Sequence, residues 1–146
     1  MDSAYADLAR TLEALEVPGV HAEPDGLSIK ASEGGFDIAI GRDGDEHVVT
    51  FGELWHEHVD DRDTALELVL IGLTPGYRLV ESVRRGSPIR AAVQVAEGER
   101  WRVLSQTGLL TSLWPWPRPR QVIRQNTLAE VGQVRRVLEQ IHQPLQ

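Results

Sequence analysis

Residues 60–73, DDRDTALELVLIGL, separate two groups of predicted strands, and this separation indicates the fold class. The acidic residues that open the stretch are good helix N-caps and complement the helix dipole. Its apolar residues recur at the spacing of one helix face: Leu66, Val69, Leu70 and Leu73. Thr74-Pro-Gly76 follows and is expected to end the helix. The pattern predicts a central amphipathic helix that packs on a sheet.

Apolar and polar residues alternate on both sides of this helix. The alternation predicts three strands before it, at residues 27–31, 36–40 and 47–55. Three more follow it, at residues 77–84, 89–96 and 100–106, and residues 121–124 are a candidate for a further strand. Such alternation is typical of half-buried strands, and the short glycine turns between them favour antiparallel hairpins.

Amphipathic helices are predicted at both ends of the chain. The first spans residues 3–15, and the last begins with the capping-box pattern Thr127-Leu-Ala-Glu130. The predicted order is therefore α-βββ-α-βββ(β)-α. Because strands and helices do not alternate strictly, we expect an α+β fold with an antiparallel sheet and the helices packed on one face. The length of 146 residues suits a single domain, residues 1–146.

Two resemblances accompany this pattern. The element order alone resembles the α-βββ-α-ββ-α arrangement of class I type III secretion chaperones, which implies a small, acidic, dimeric protein. Separately, the run from LWHEHVDD (54–61) through YRLVE (77–81) to GERWRVLSQTGLL (98–110) is similar to an uncharacterised family of small bacterial α+β proteins. That similarity covers most of the chain and implies no particular activity.

The charges are unevenly distributed along the chain. Residues 1–73 hold 17 Asp/Glu against 4 Lys/Arg, whereas residues 74–146 hold 5 against 11, and the net charge is −7. Such a split is expected either from two surfaces with different partners or from two halves that neutralise each other across one sheet. The chain has no cysteine, which excludes a disulfide framework, a thiolate zinc site and a cysteine nucleophile.

Other features bear on location and on enzyme classes. The N-terminal residues lack the basic and apolar regions of a signal peptide, and the apolar run 65–73 is too short to span a membrane, so a cytoplasmic protein is expected. The sequence contains no nucleophile elbow, Walker A loop or dinucleotide-binding fingerprint. No residue is therefore assigned a catalytic role.

The stretch LWHEHVDD contains three candidate metal ligands, His56, His58 and Asp60. Residues two apart share a strand face, and imidazole with carboxylate suits zinc, iron, nickel or manganese. The run HEHVDD also resembles the start of the His-x-His-x-Asp-His motif of metallo-β-lactamase-type hydrolases, but Asp61 stands where that motif has histidine. In the alternative interpretation, Trp55 packs in the core, Asp60 or Asp61 caps the following helix, and both histidines face solvent.

The stretch LWPWPRPR, residues 113–120, is a second candidate site. Its alternating prolines favour an extended path, which would place four side chains on one side: Trp114, Trp116, Arg118 and Arg120. Such a row could bind a partner peptide, a phosphate-bearing ligand or single-stranded nucleic acid. Alternatively, the segment covers the core and its prolines prevent edge-to-edge pairing.

Two hypotheses of function follow. The first is a small bacterial, non-enzymatic protein-interaction module, immunity- or antidote-like or chaperone-like, whose partner is an unknown protein. The second is a metal-binding protein or metal-dependent hydrolase that uses His56, His58 and Asp60. No membrane partner is expected, the acidic net charge argues against nucleic acid, and a homodimer through an exposed sheet face or edge is left open.

Overall fold

The computed structural model describes residues 3–108 and 118–142, which form three helices and two antiparallel sheets. The helices are α1 (Ser3–Ala14), α2 (Arg62–Gly72) and α3 (Val131–His142). Within these residues no helix is long and apolar enough to cross a membrane. The predicted α+β class with antiparallel pairing is confirmed, and the central helix lies between two groups of strands as expected.

The first sheet has five strands in chain order, each antiparallel to the next. They are β1 (Val20–Glu23), β2 (Gly26–Ile29), β3 (Ile38–Asp43), β4 (Glu46–Phe51) and β5 (Trp55–Val59). Side chains on one face are buried, as in the pairs Leu27–Ile40 and Phe51–Trp55, whereas the other face carries His56 and His58. This sheet has two strands more than the alternation indicated.

Each additional strand has a local cause. The predicted third strand divides because Gly52 adopts a φ of 67°, and the chain reverses there between β4 and β5. A Cβ at Gly52 would also lie 2.9 Å from Leu79 Cδ2, so a larger residue is disfavoured twice. Strand β1 has almost no buried side chain and so lacks the alternation by which strands are detected.

The second sheet has four strands in the order β8-β7-β6-β9. They are β6 (Tyr77–Arg84), β7 (Ser87–Glu97), β8 (Arg100–Gly108) and β9 (Arg120–Arg124). All neighbours are antiparallel, and the register of β7 with β8 shifts between Val93 and Gln94, where Leu104 is the extra residue on β8. The candidate strand at 121–124 therefore exists and forms one edge, while the long strand β8 forms the other.

One hydrophobic cluster joins the helices to both sheets. It contains Tyr5 and Leu8 from α1, Val69 and Leu70 from α2, and Val134 from α3. The first sheet contributes Val49, Phe51 and Trp55 among others, and the second contributes Leu79, Ala91 and Val93. Both sheets thus turn one face towards this core, and the opposite faces carry the more exposed side chains.

Candidate interaction surface

The two histidines of the predicted metal site lie together on the exposed face of the first sheet. Their ring centroids are 5.7 Å apart at an interplanar angle of 78°. His56 donates from Nδ1 to the Leu54 carbonyl at 3.0 Å, and His58 Nδ1 lies 3.0 Å from Glu46 Oε2. The expected sharing of one strand face is therefore observed, and each ring already has a local partner for its Nδ1.

A third ligand is not brought to this pair within the described residues. Asp60 is exposed and follows the last residue of β5, and no group of three His, Cys, Asp or Glu side chains in residues 3–108 and 118–142 has the geometry to hold a metal. His47 lies on the opposite, buried face, where its Nδ1 is 2.8 Å from the Tyr5 hydroxyl. His21 is on β1, four strands away in the same sheet. The three-ligand hypothesis stays a prediction.

The neighbouring residues of this stretch have structural roles. Trp55 is 1% exposed and stacks on Phe51 with ring centroids 4.6 Å apart. Asp61 is the N-cap of α2, since its Oδ2 accepts a 3.0 Å hydrogen bond from the Thr64 backbone N–H. Of the two candidate caps, Asp60 and Asp61, it is therefore Asp61 that caps the helix. Core packing by Trp55 and helix capping therefore account for this part of LWHEHVDD.

The predicted Trp–Arg row can be followed only at its C-terminal end. Trp114 and Trp116 lie outside the described residues. Arg118 is exposed, and Arg120 begins β9, where it is paired with Val83. Arg120 lies at the border of a cleft between the two sheets, so it belongs to the inner side of the second sheet.

That cleft has a volume of about 310 Å³ and mixed charge. Its lining includes the acidic residues Asp37, Glu53 and Glu81, together with Arg120 and Arg124. Glu81 is only 4% exposed, and its Oε1 accepts a 2.7 Å hydrogen bond from Arg124 Nε. The most buried charge of the cleft is thus paired within the second sheet, by a residue on its edge strand.

The charge split of the sequence corresponds to the two sheets. Residues 20–59, which contain the first sheet, hold 9 Asp/Glu and 2 Lys/Arg. Residues 77–124, which contain the second sheet, hold 3 Asp/Glu and 9 Arg. The acidic and basic parts therefore form separate sheets of one molecule and do not interleave as strands of a single sheet.

The face of the second sheet that points away from the core is an exposed surface of mixed apolar and cationic character. We call it the outer face; its residues alternate with the buried Leu79, Glu81, Ala91 and Val93. Its residues include Arg78, Val80, Ser82, Arg84, Arg90, Ala92, Gln94, Trp101, Val103, Gln106, Gln121 and Ile123. None of these residues of the four described strands is acidic.

Apolar residues form a row across the middle of the outer face, and Val103 lies in the neighbouring row, where it pairs with Gln94. Cross-strand pairing aligns Ile123 with Val80, and Val80 with Ala92. Ile123 is 54% exposed and Val103 is 49% exposed, although both are large aliphatic residues in strands. Large apolar side chains on a sheet face normally pack against another layer. Their exposure here therefore marks a surface suited to association.

An arginine is fixed at one side of this apolar centre. The Arg78 guanidinium carbon lies 4.2 Å from the centroid of the Trp101 ring, and Arg78 Nε donates to Gln94 Oε1 at 2.7 Å. Stacking on an aromatic ring and a hydrogen bond to a neighbouring strand both reduce the freedom of the side chain. Because Nε is engaged, the two Nη groups are the donors that a ligand can use.

Sequence reasoning did not identify this surface. A strand at residues 77–84, as predicted, implies that Arg78, Val80 and Ser82 share one side, but the period of two does not tell which side is buried. The partner Trp101 comes from another strand, 23 positions along the chain, so only the register of β6, β7 and β8 brings Arg78 and Trp101 together.

Comparisons with known protein families, with curated proteins and with solved structures find no match to this chain.

Proposed function

We propose that this protein is a small bacterial, non-enzymatic protein-interaction module, immunity- or antidote-like or chaperone-like, and that it binds its partner through the outer face of the second sheet. The observation that carries the proposal is the exposure of Ile123 and Val103 on one sheet face with an apolar centre. Desolvation of such residues supplies most of the affinity in protein interfaces, with polar residues around them.

The proposal is tested by serine substitutions in the full chain. Used as bait in the native host, the wild-type chain should recover a stoichiometric partner, and Ile123→Ser with Val103→Ser should lower its recovery at least about tenfold, since central interface side chains contribute about 1–3 kcal/mol each. Val131→Ser is the matched control, because Val131 is 41% exposed but lies on α3. Equal recovery by all variants would contradict the proposal.

The metal-binding alternative keeps one specific observation in its favour, the 5.7 Å separation of the His56 and His58 rings on an exposed face. A site that used this pair with Asp60 would bind a divalent ion such as zinc or nickel. Excess ZnCl₂ should then raise the melting temperature of the wild-type chain and not that of His56→Ala, because a ligand that binds only the folded state stabilises it. A melting temperature that excess zinc leaves unchanged argues against this alternative.

A further inference from the structure

The outer face places a cation on each side of its apolar centre. Three cross-strand rows run over it: Arg78–Gln94–Val103, then Ile123–Val80–Ala92–Gln106, then Gln121–Ser82–Arg90. Arg78 and Arg90 occupy neighbouring strands and are offset by four residues along them, which corresponds to about 13 Å. The row that contains Ile123, Val80 and Ala92 lies midway between these two arginines. Arg90 is exposed, and Arg78 is held in place by Trp101 and Gln94.

This arrangement selects the charge of a partner. Because the face carries arginines and no acidic residue on its described strands, a partner that buries the apolar row must bring its own negative charge close to Arg78 and Arg90. A basic partner, or a second copy docked with the same face, would place cations against cations. The Nη groups of Arg78 have no hydrogen-bond partner among the described residues, and a guanidinium matches a carboxylate geometrically by paired N–H donors.

On the basis of the proposed function, we infer that the outer face binds an acidic, extended polypeptide segment in which an apolar residue stands between two acidic ones. Side chains two apart in an extended chain point the same way and advance about 6.6 Å. Acidic residues at positions i and i+4 therefore span the distance between Arg78 and Arg90. The apolar side chain at i+2 then meets Val80, Ala92 and Ile123.

The inference is tested by selecting peptides from a random nonapeptide library on the immobilised full chain. Three baits are compared at low salt: wild type, Arg78→Glu with Arg90→Glu, and Arg135→Glu with Arg136→Glu as control. Arg135 and Arg136 are exposed on α3, away from the outer face. Because each double variant replaces two arginines by two glutamates, both have the same net charge. Circular dichroism and melting temperature establish that each bait is folded.

The expected wild-type pool is enriched in Asp or Glu at i and i+4 around an apolar residue. A peptide from this pool should bind the Arg78/Arg90 variant at least about tenfold more weakly, because charge reversal replaces two charge-assisted contacts by repulsion, while the control binds normally. Added salt should weaken wild-type binding in the same direction.

Other outcomes separate this inference from the proposed function. The selected peptides could instead be neutral and apolar, bind wild type and the Arg78/Arg90 variant equally, and fail to bind Ile123→Ser. This result would overturn the inference of an acidic partner but would still support the outer face as an interaction surface. Selected peptides whose binding is unchanged both in the Arg78/Arg90 variant and in Ile123→Ser would overturn the inference and the proposed function together. A single-stranded DNA nonamer that binds more tightly than the selected peptides, and is lost in the Arg78/Arg90 variant, overturns the inference in favour of nucleic acid.

Discussion

Asn126 is the buried residue that connects three parts of the chain by hydrogen bonds. Its side chain is fully buried, accepts from the Phe36 backbone N–H and donates to the carbonyls of Phe36 and Gly72, each at 3.0 Å. It thereby fixes the segment before β3 and the end of α2 to the loop before α3. Buried polar groups that lose such partners have a large desolvation cost.

We therefore expect Asn126→Ala to lower the free energy of unfolding by about 3 kcal/mol, since three buried backbone groups lose their partner. Urea unfolding measures the change. The control is Gln125→Ala next to it, which removes one hydrogen bond to the Pro75 carbonyl from an exposed position and should cost less than about 1 kcal/mol. Equal losses for the two variants would contradict the role of Asn126.

Tyr77 provides a prediction at alkaline pH. Burial raises the pKa of its hydroxyl above the usual 10.0, the nearby Glu67 charge raises it further, and Arg102 opposes the shift. The fold thus favours the neutral phenol, and the unfolded chain releases this proton first. The free energy of unfolding is therefore unaffected by ionisation of Tyr77 below about pH 9. It falls as the pH rises through 10 and above, because the unfolded chain then loses the Tyr77 proton more readily than the folded chain.

Tyr77→Phe should consequently lose less unfolding free energy than wild type between about pH 8 and pH 11, because the variant has no phenol to ionise in either state. Urea unfolding at both pH values measures the difference. The only other tyrosine is Tyr5, so titration of phenolate absorbance can assign the shifted group directly. A loss of the same size in both proteins would show that Tyr77 does not titrate differently in the folded state.

At the scale of elements, α2 is fixed by close packing of its last turn on the first sheet. A Cβ at Gly72 would lie 2.7 Å from Phe51 Cζ and 3.1 Å from Ile38 Cδ1. Phe51 cannot move away easily, since it packs on Phe36 and Trp55 with ring centroids 5.0 and 4.6 Å away. The glycine therefore sets the distance between helix and sheet.

Gly72→Ala should destabilise the protein by about 1–2 kcal/mol, because overpacking outweighs the gain in helix propensity of about 1 kcal/mol. Gly132→Ala on α3 is the matched control: its added Cβ would meet no atom within 4 Å, so only the propensity gain is expected and this variant should be more stable than wild type. Denaturant unfolding of the two variants measures the sign of each change in the free energy of unfolding. Stabilisation by both substitutions would contradict the close contact.

At the scale of the whole molecule, charge and exposure divide between the two sheets. The first sheet lies in the acidic part of the chain and the second in the basic part, and both turn one face to the same core. This leaves two outward faces of different chemistry, one with His56 and His58 and one with Arg78, Trp101 and Ile123. The proposed acidic partner matches the second of these faces.

The sequence by itself determined the α+β class, the central helix and the antiparallel hairpins within each group of strands, because periodicity and glycine turns act between neighbours in the chain. It left the N-cap open between Asp60 and Asp61 and offered the burial of Trp55 as one of two interpretations, and the structure decided both. Only the tertiary structure decided the second sheet's separate existence, the Asn126 hydrogen bonds and the Arg78–Trp101 contact. These depend on strand register and on which face meets the core. Both are set by packing between segments distant in sequence, which no local pattern encodes.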